Sequence, residues 1–233
     1  MSFYHNPRVI TNGLRFFVDF TNPKCFVSGS STCKDLVQGI TGSLTAPYSN
    51  SGSYLAFGNG TTGATSVVQF EHVPEFVWGE DDFSYSFWLR TGTDADYNYG
   101  YVFGQGSLGN NVGWGCYTMN ENTLDFQTRN LGNLDLQSTD GDIFDDVWRH
   151  FTFVRSSGTS SLYVNTNIQS EIVSGSRNID SETHFLTIAK RDQAGSLSFA
   201  GTFDGNLFMV WNRALQQSEI EQVYVSQKGR FKS

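Results

Sequence analysis

The chain has 233 residues with 24 Gly, 4 Pro and 15% aromatic side chains, and its 16% of charged residues is too few for a disordered segment or a coiled coil. At this length one domain can bury a core without metal or disulfide staples, and a single all-β sandwich is an ordinary outcome. Fifteen basic residues against 23 acidic ones, net −8, argue against broad docking on nucleic acid or on an anionic membrane, and no run of 18 apolar residues is present to span a bilayer.

Strand signals dominate from the start: short aromatic or β-branched runs separated by Gly, Asn, Asp and Ser. The first is Leu14 to Phe20, followed by a polar loop over Val27 to Thr32 and a turn at Val37-Gln38-Gly39. Tyr54 to Phe57, a Gly-rich stretch Gly58 to Gly63, and Ala64 to Phe70 come next. Phe83-Ser84-Tyr85-Ser86-Phe87-Trp88-Leu89 has the clearest period of two. Its Phe, Tyr and Leu residues face a core, while Ser84, Ser86 and Trp88 are expected on a mostly wet face. Further strands are expected at Tyr101–Gly104, Val112–Thr118, Thr123–Thr128, Val147–Arg155, Ser160–Asn165, Phe185–Lys190 and Phe199–Trp211. Only Gln217–Val225 reads as a helix, with Ile220, Val223 and Tyr224 on one short apolar stripe. About a dozen strands without βαβ alternation predict an antiparallel two-sheet sandwich. The expected organisation is an N-terminal arm over residues 1–12, one sandwich domain over 13–226, and a tail over 227–233.

The opening Met-Ser-Phe-Tyr-His-Asn-Pro-Arg has no apolar core of the secretory kind, so synthesis in a cytoplasm is the expectation, with the final location a separate question. Cys25, Cys33 and Cys116 have no metal-ligand spacing. Cys25 and Cys33 share a loop and could pair, but reduced thiols suit a cytoplasm better. Cys116 reads as a small buried apolar residue.

Four segments carry a resemblance. Asp82 to Arg90 is similar to "F-T-I-S-F-W-L-K", Asp146 to Arg155 to "G-x-W-H-H-V-A-F-V-R", and Ser161-Leu162-Tyr163-Val164-Asn165 to "x-L-Y-V-N-G". Phe199 to Leu215, closed by Ser218-Glu219-Ile220, is similar to "F-x-G-x-I-D-E-V-R-I-Y-N-R-A-L-S-x-E-E-I". In this order they resemble the laminin-G/pentraxin-like branch of the concanavalin A-like jelly-roll sandwiches, over residues ~83 to ~225. The opening, Asn12 to Lys24, then Thr32 to Leu36 and Gly42 to Thr45, resembles laminin-G-type proteins of tailed bacteriophages. That resemblance implies a virion structural protein, decorating or cementing a capsid or forming part of a tail or fibre. Its partners would be other virion proteins, and it would be made in the host cytoplasm. A homo-oligomer on the particle is compatible with this. The alternatives are a lectin-like adhesin for a cell-surface glycan and, third, a glycanase.

Many relatives hold Ca²⁺ at the sandwich rim, where six to eight oxygens must converge. Here the matching loop, Phe57 to Gly63, has no carboxylate, and Asp204 is followed by Gly205 and Asn206 instead of a second acid. No metal or other cofactor is therefore expected, with Asp204 as the single weak ligand candidate. The acidic run Asp140 to Asp146 lacks EF-hand spacing, and Asp94-Ala95-Asp96 reads as a solvated loop. Catalysis is not expected: the related glycanases carry Glu-x-Asp-x-x-Glu on an inner strand, and that string does not occur. Nor does Gly-x-Ser-x-Gly. His150, inside the Trp148 strand, is expected to pack rather than to act as a base. Sugars stack on aromatic rings while amides take their hydroxyls. Tyr97, Asn98, Tyr99, Asn111 and Trp114 supply that mixture, although sheet packing is the competing role for each. Phe3, Tyr4 and Phe231 are the apolar anchors through which the terminal arms would order on a neighbouring subunit.

Overall fold

The computed structural model describes residues 9–46, 48–58, 66–92, 100–106, 112–119, 123–129, 133–137, 143–173, 179, 184–193, 196–198 and 202–231. In chain order the strands are β1 (Leu14–Val18), β2 (Thr32–Lys34), β3 (Thr41–Thr45), β4 (Tyr48–Asn50), β5 (Leu55–Phe57), β6 (Val67–Phe70), β7 (Phe83–Arg90), β8 (Gly100–Gln105) and β9 (Gly113–Met119). They continue with β10 (Thr123–Arg129), β11 (Asn133–Gln137), β12 (Arg149–Ser156), β13 (Thr159–Val164), β14 (Asn167–Val173), β15 (Leu186–Ile188), β16 (Arg191–Gln193), β17 (Ser196–Ser198) and β18 (Phe203–Trp211), before one helix, α1 (Gln217–Gln227).

Two antiparallel sheets face one another. One runs β14-β13-β12-β7-β18-β5-β4, with β1 also paired to β18, and the other β11-β10-β9-β8-β15-β6-β3-β2. The period of two in β7, β12 and β10 sends Phe83, Tyr85, Phe87, Phe151, Phe153 and Phe126 into the space between them, all at most 1% exposed. Aromatic rings fill that space: Tyr85 lies 4.8 Å from Trp114 and 5.1 Å from Phe153, and Phe16 meets Phe70 edge-on at 5.0 Å. Such pairs each add about 0.5–1.5 kcal/mol beyond the area they bury.

The strand expectations hold for β1, β5 to β10, β12, β13, β15, β18 and the helix, with boundaries moved by a few residues. The short polar strands β2, β3, β4 and β11 and the edge strand β14 carry too few apolar residues to announce themselves; every side chain of β14 is exposed or half-buried. Gly104-Gln105-Gly106 ends β8. At Gly104, φ is +151° and a Cβ would lie 2.3 Å from the Trp114 carbonyl oxygen, so only glycine lets β8 and β9 approach this closely.

The wet face expected for β7 is covered. Ser84, Ser86 and Trp88 are 0%, 0% and 2% exposed, because the chain after β18 folds back over them. The Ser84 hydroxyl donates to the Arg213 carbonyl (3.0 Å) and accepts from the Leu215 N–H (3.0 Å), and α1 closes a second apolar layer of Trp88, Met209, Trp211, Ile220 and Val223. α1 starts in a capping box, in which the Gln216 side chain accepts from the first turn and Glu219 reaches back to the Gln216 N–H.

The expected tail is likewise part of the domain. Lys228–Arg230 forms a 3₁₀ turn, Arg230 pairs with Asp19 at 2.8 Å, and Phe231 is 7% exposed, 4.5 Å from Trp88 and 4.7 Å from Trp148. Phe231 is therefore an internal anchor and not one reserved for a neighbour. Phe3 and Tyr4 lie outside the described residues. Cys25, Cys33 and Cys116 are buried free thiols.

Candidate functional site

Three polar constellations stand out on this frame. The first is at the rim, where β7 ends, β18 begins and the Trp148 segment enters β12. The Arg90 guanidinium donates to Asp204 Oδ2 at 2.9 and 2.5 Å and to the Tyr54 hydroxyl at 2.8 Å. It also lies 3.5 Å from Asp146. It lies 5.1 Å from the Tyr54 ring and 5.4 Å from the Trp148 ring, which touch each other edge-on, a cation–π geometry. Burial pushes the Asp204 carboxyl above its ordinary value, more than Arg90 pulls it down. Asp204, the residue nominated for a metal, thus has a built-in cation as its partner. Asn206, where relatives carry a second acid, does structural work instead: its Oδ1 accepts from the Phe20 and Leu207 N–H groups (2.9 and 2.8 Å) and its Nδ2 donates to the Ser53 carbonyl (2.8 Å). It plugs the irregularity between Asn206 and Met209 in the β18–β7 register. Among the described residues no group of three or more His, Cys, Asp or Glu side chains is gathered to hold a metal ion.

The second constellation is on the face of the β8–β9–β10–β15 sheet turned away from the core. Register places Asp125 beside Tyr117 and Tyr117 beside Tyr101. In the next row Gln127, Gly115, Gly104 and Thr187 lie side by side. β16, paired with β17, packs over β8 and β15. From it Arg191 donates to the Tyr117 hydroxyl (3.2 Å), while Asp192 accepts from the Phe185 N–H (2.9 Å) and sits 3.1 Å from His184 Nδ1. All of these side chains are at least nine-tenths buried, so this polar face is sealed. Nothing in the sequence reading pointed to it: His184 and Asp192 meet only through the turn after β15, which spacing alone does not reveal.

The third is an open groove of about 470 Å³ between the turn that precedes β7 and the segment that follows β18. Glu75, Glu80, Asp81, Asp82, Asn212 and Arg213 line it. Glu75 accepts from Gln38 (2.7 Å), Asp82 accepts from the Ser157 N–H (2.7 Å), and Arg213 forms a fork to Glu219 at 2.7 Å. Arg155, 1% exposed, feels these carboxylates from beneath and donates to the Gly79 carbonyl (3.0 Å). Its size suits a small polar ligand, and its wall offers carboxylate acceptors, while the Arg213 guanidinium and the Asn212 amide are engaged by Asn12, Ala214, Glu219, Gly13 and Arg15.

Of the side chains nominated for glycan contact, Trp114 is excluded: it is fully buried in the core and donates its Nε1–H to the Phe76 carbonyl (3.2 Å). Tyr97, Asn98, Tyr99 and Asn111 lie outside the described residues. His150 packs as expected, 1% exposed, against Trp88 at 5.3 Å.

A family model of laminin-G type, described as the concanavalin A-like lectin/glucanases superfamily, matches residues 51–221. No curated protein sequence matches this chain. Among solved structures, the binding domain of Paraclostridial Mosquitocidal Protein 1 is similar at 17% identity and a TM-score of 0.69, covering 91% of this chain and 52% of that one. The binding domain of Botulinum neurotoxin DC, solved with rat synaptotagmin II, is similar at 13% identity and a TM-score of 0.70, covering 92% and 51%. A botulinum neurotoxin type C structure, whose cell entry is described as dependent on two ganglioside molecules, follows at 14% and 0.67, covering 92% and 51%. At these identities the likeness is one of fold, and this chain spans about half the length of each.

Proposed function

Because this chain belongs to the concanavalin A-like lectin/glucanases superfamily, we propose that it is a non-enzymatic, lectin-like recognition module whose ligand, a hydroxyl-rich glycan, sits in the groove of Glu75, Glu80, Asp81, Asp82, Asn212 and Arg213. The observation that carries this reading is the groove itself: it is open, while the space between the sheets is filled with rings and the polar sheet face is sealed. Its carboxylates suit sugar hydroxyls, which can donate to them. A non-catalytic role is supported by the state of the other acids: Asp204, Asp192, Glu219 and Asp19 are each engaged by Arg or His. The opening segment's resemblance to phage laminin-G-type proteins makes a tailed-phage capsid, tail or fibre the surface that would display such a module, and mass spectrometry of purified particles checks that placement.

The test of the groove is a glycan array followed by titration of the best binder against wild type and the double variant Glu80→Gln/Asp81→Asn. Binding weakened at least tenfold in the variant, at unchanged melting temperature and without release of reducing ends, is the expected result. No glycan binding by the wild type, or equal affinity in both proteins, overturns the reading.

A further inference from the structure

The most isolated ionisable side chain among the described residues that can titrate near neutrality is His150. It lies on β12, on the outer face of its sheet, beneath α1. Its backbone is fixed by Asn165, whose Oδ1 accepts from the His150 N–H at 2.9 Å and whose own N–H donates back to the His150 carbonyl at 2.8 Å. The ring is far less well served. Nδ1 is 3.5 Å from the Thr152 hydroxyl, at the limit of a hydrogen bond, and Nε2 is buried with no partner. What surrounds the ring is aromatic: Trp88 from β7 at 5.3 Å and Tyr224 from α1 at 6.1 Å.

The same two residues hold the C-terminal cap. Trp88 stacks on Tyr224 at 5.5 Å and on Phe231 at 4.5 Å, and its Nε1–H donates to Gln227 Oε1 at 2.7 Å. The imidazole is thus one wall of the seat in which α1 and Phe231 rest. The titratable and charged groups around it offer a cation no relief. Burial raises the Tyr163 phenol of β13, so it carries no charge to offer. Lys228, after α1, lies over the Tyr224 ring at 5.6 Å and would repel a second positive charge. Arg149, the neighbour on β12, is bound to Asp145. Glu171, on β14, is bound to Ser161.

We propose that His150 is an acid-triggered latch: protonation of its imidazole expels the ring from its seat and undocks α1 together with Phe231, laying open the Trp88–Trp148 face while the two sheets stay folded. Burial alone holds the docked imidazole neutral, with its pKa lowered from 6.5 to about 3. In the undocked state the ring is solvated and titrates near 6.5. Between those values only the undocked state takes up the proton, so the docked-to-undocked ratio falls tenfold per pH unit. From pH 6.5, where the undocked ring is half protonated, to pH 4.5 the change is about 50-fold.

Hydrogen exchange on the full chain reads this directly. After correction for intrinsic rates, protection of the α1 amides should start below that of β7 and β12, which exchange through global unfolding, and should fall about 50-fold between pH 6.5 and 4.5. His150→Gln and His150→Leu, which cannot titrate, should show no such fall in α1. An α1 response equal in wild type and variants, or no response in wild type, overturns the latch. Should neither variant fold, NMR titration of the wild-type imidazoles decides: a His150 ring that protonates while α1 stays docked also overturns it.

Discussion

Replacing Phe231 by alanine asks whether the chain end belongs to this domain or is kept for a partner. The ring is 7% exposed and wedged between Trp88 and Trp148, with centroids 4.5 and 4.7 Å away. Removing a buried Phe side chain costs about 3–5 kcal/mol when the site cannot collapse. Both neighbours here are large indoles held elsewhere, Trp88 by Gln227 and Trp148 by the Tyr54 ring at 5.2 Å, so collapse is restricted. For a domain of this length each kcal/mol moves the melting temperature by roughly 2–4 °C, so a fall of about 6–20 °C is expected. Thermal melts followed by far-UV circular dichroism measure it, and a red shift in tryptophan emission in the native baseline would report wetting of Trp88 and Trp148. Phe231→Leu, which refills most of the volume, should cost under about 1.5 kcal/mol. A melting temperature within about 2 °C of wild type for Phe231→Ala, with unchanged emission, would refute the packing argument and return Phe231 to the role of an anchor for another subunit.

Arg90→Leu should destabilise the domain by about 3–5 kcal/mol, because the half-buried Asp204 carboxylate would lose its compensating charge; added chelator should leave the wild-type melting temperature unchanged, and a Ca²⁺-dependent rise of many degrees would contradict the assignment of Arg90 as the resident cation. Global stability should fall in two stages on acidification. The first, from pH 6.5 downward at about 1.4 kcal/mol per unit, reflects His150, whose folded value lies below its unfolded one, so that its contribution is complete above pH 6.5 and shrinks as pH falls. The second begins below pH 4.5, as Asp19, Asp145 and Glu219 are protonated. Burial raises Asp19, but Arg230 and Thr21 outweigh it, and Arg149 and Arg213 hold the other two below their ordinary 3.8 and 4.5. Denaturant titrations in His150→Gln should lack the first stage and keep the second.

The alternation in β7 made the inner face legible without any structure, since each of Phe83, Tyr85, Phe87 and Leu89 lands in the core. It misjudged the other face for a physical reason. Ser84 and Ser86 look wet in sequence because nothing local shows that residues 212–231 return to cover them. Trp88 was the available hint: a large apolar ring on a supposedly wet face needs a cover. Trp114 was ambiguous for the same reason, because a ring beside glycines can serve a ligand or a core, and only the register of β9 against β8 decides. The Arg90–Asp204 pair joins residues over a hundred positions apart, and the groove is assembled from two segments equally remote in the chain. Neither leaves a trace in spacing. The motif that resembles the family's closing segment singled out Asp204, but nothing in that motif showed that the Arg90 side chain pairs with it.

The position of β18 bears on how this protein can be made. Along one edge β18 is paired with β7, and its other edge is divided between β5 and β1, so it is the keystone of its sheet although it is the last strand in the chain. On a ribosome, β1 emerges with no partner, and β5 and β7, though they can pair with β4 and β12, each keep one edge open until Trp211 has cleared the exit tunnel. At about 5–20 residues per second the stretch from Arg90 to Trp211 occupies on the order of ten seconds. Throughout that interval Phe-rich strands are exposed with unpaired edges, the condition under which nascent chains associate wrongly. Yield should accordingly depend on chaperone supply and translation temperature more than on the stability of the finished fold, and emergence of β18, rather than of any one hairpin, should time the closing of this sheet.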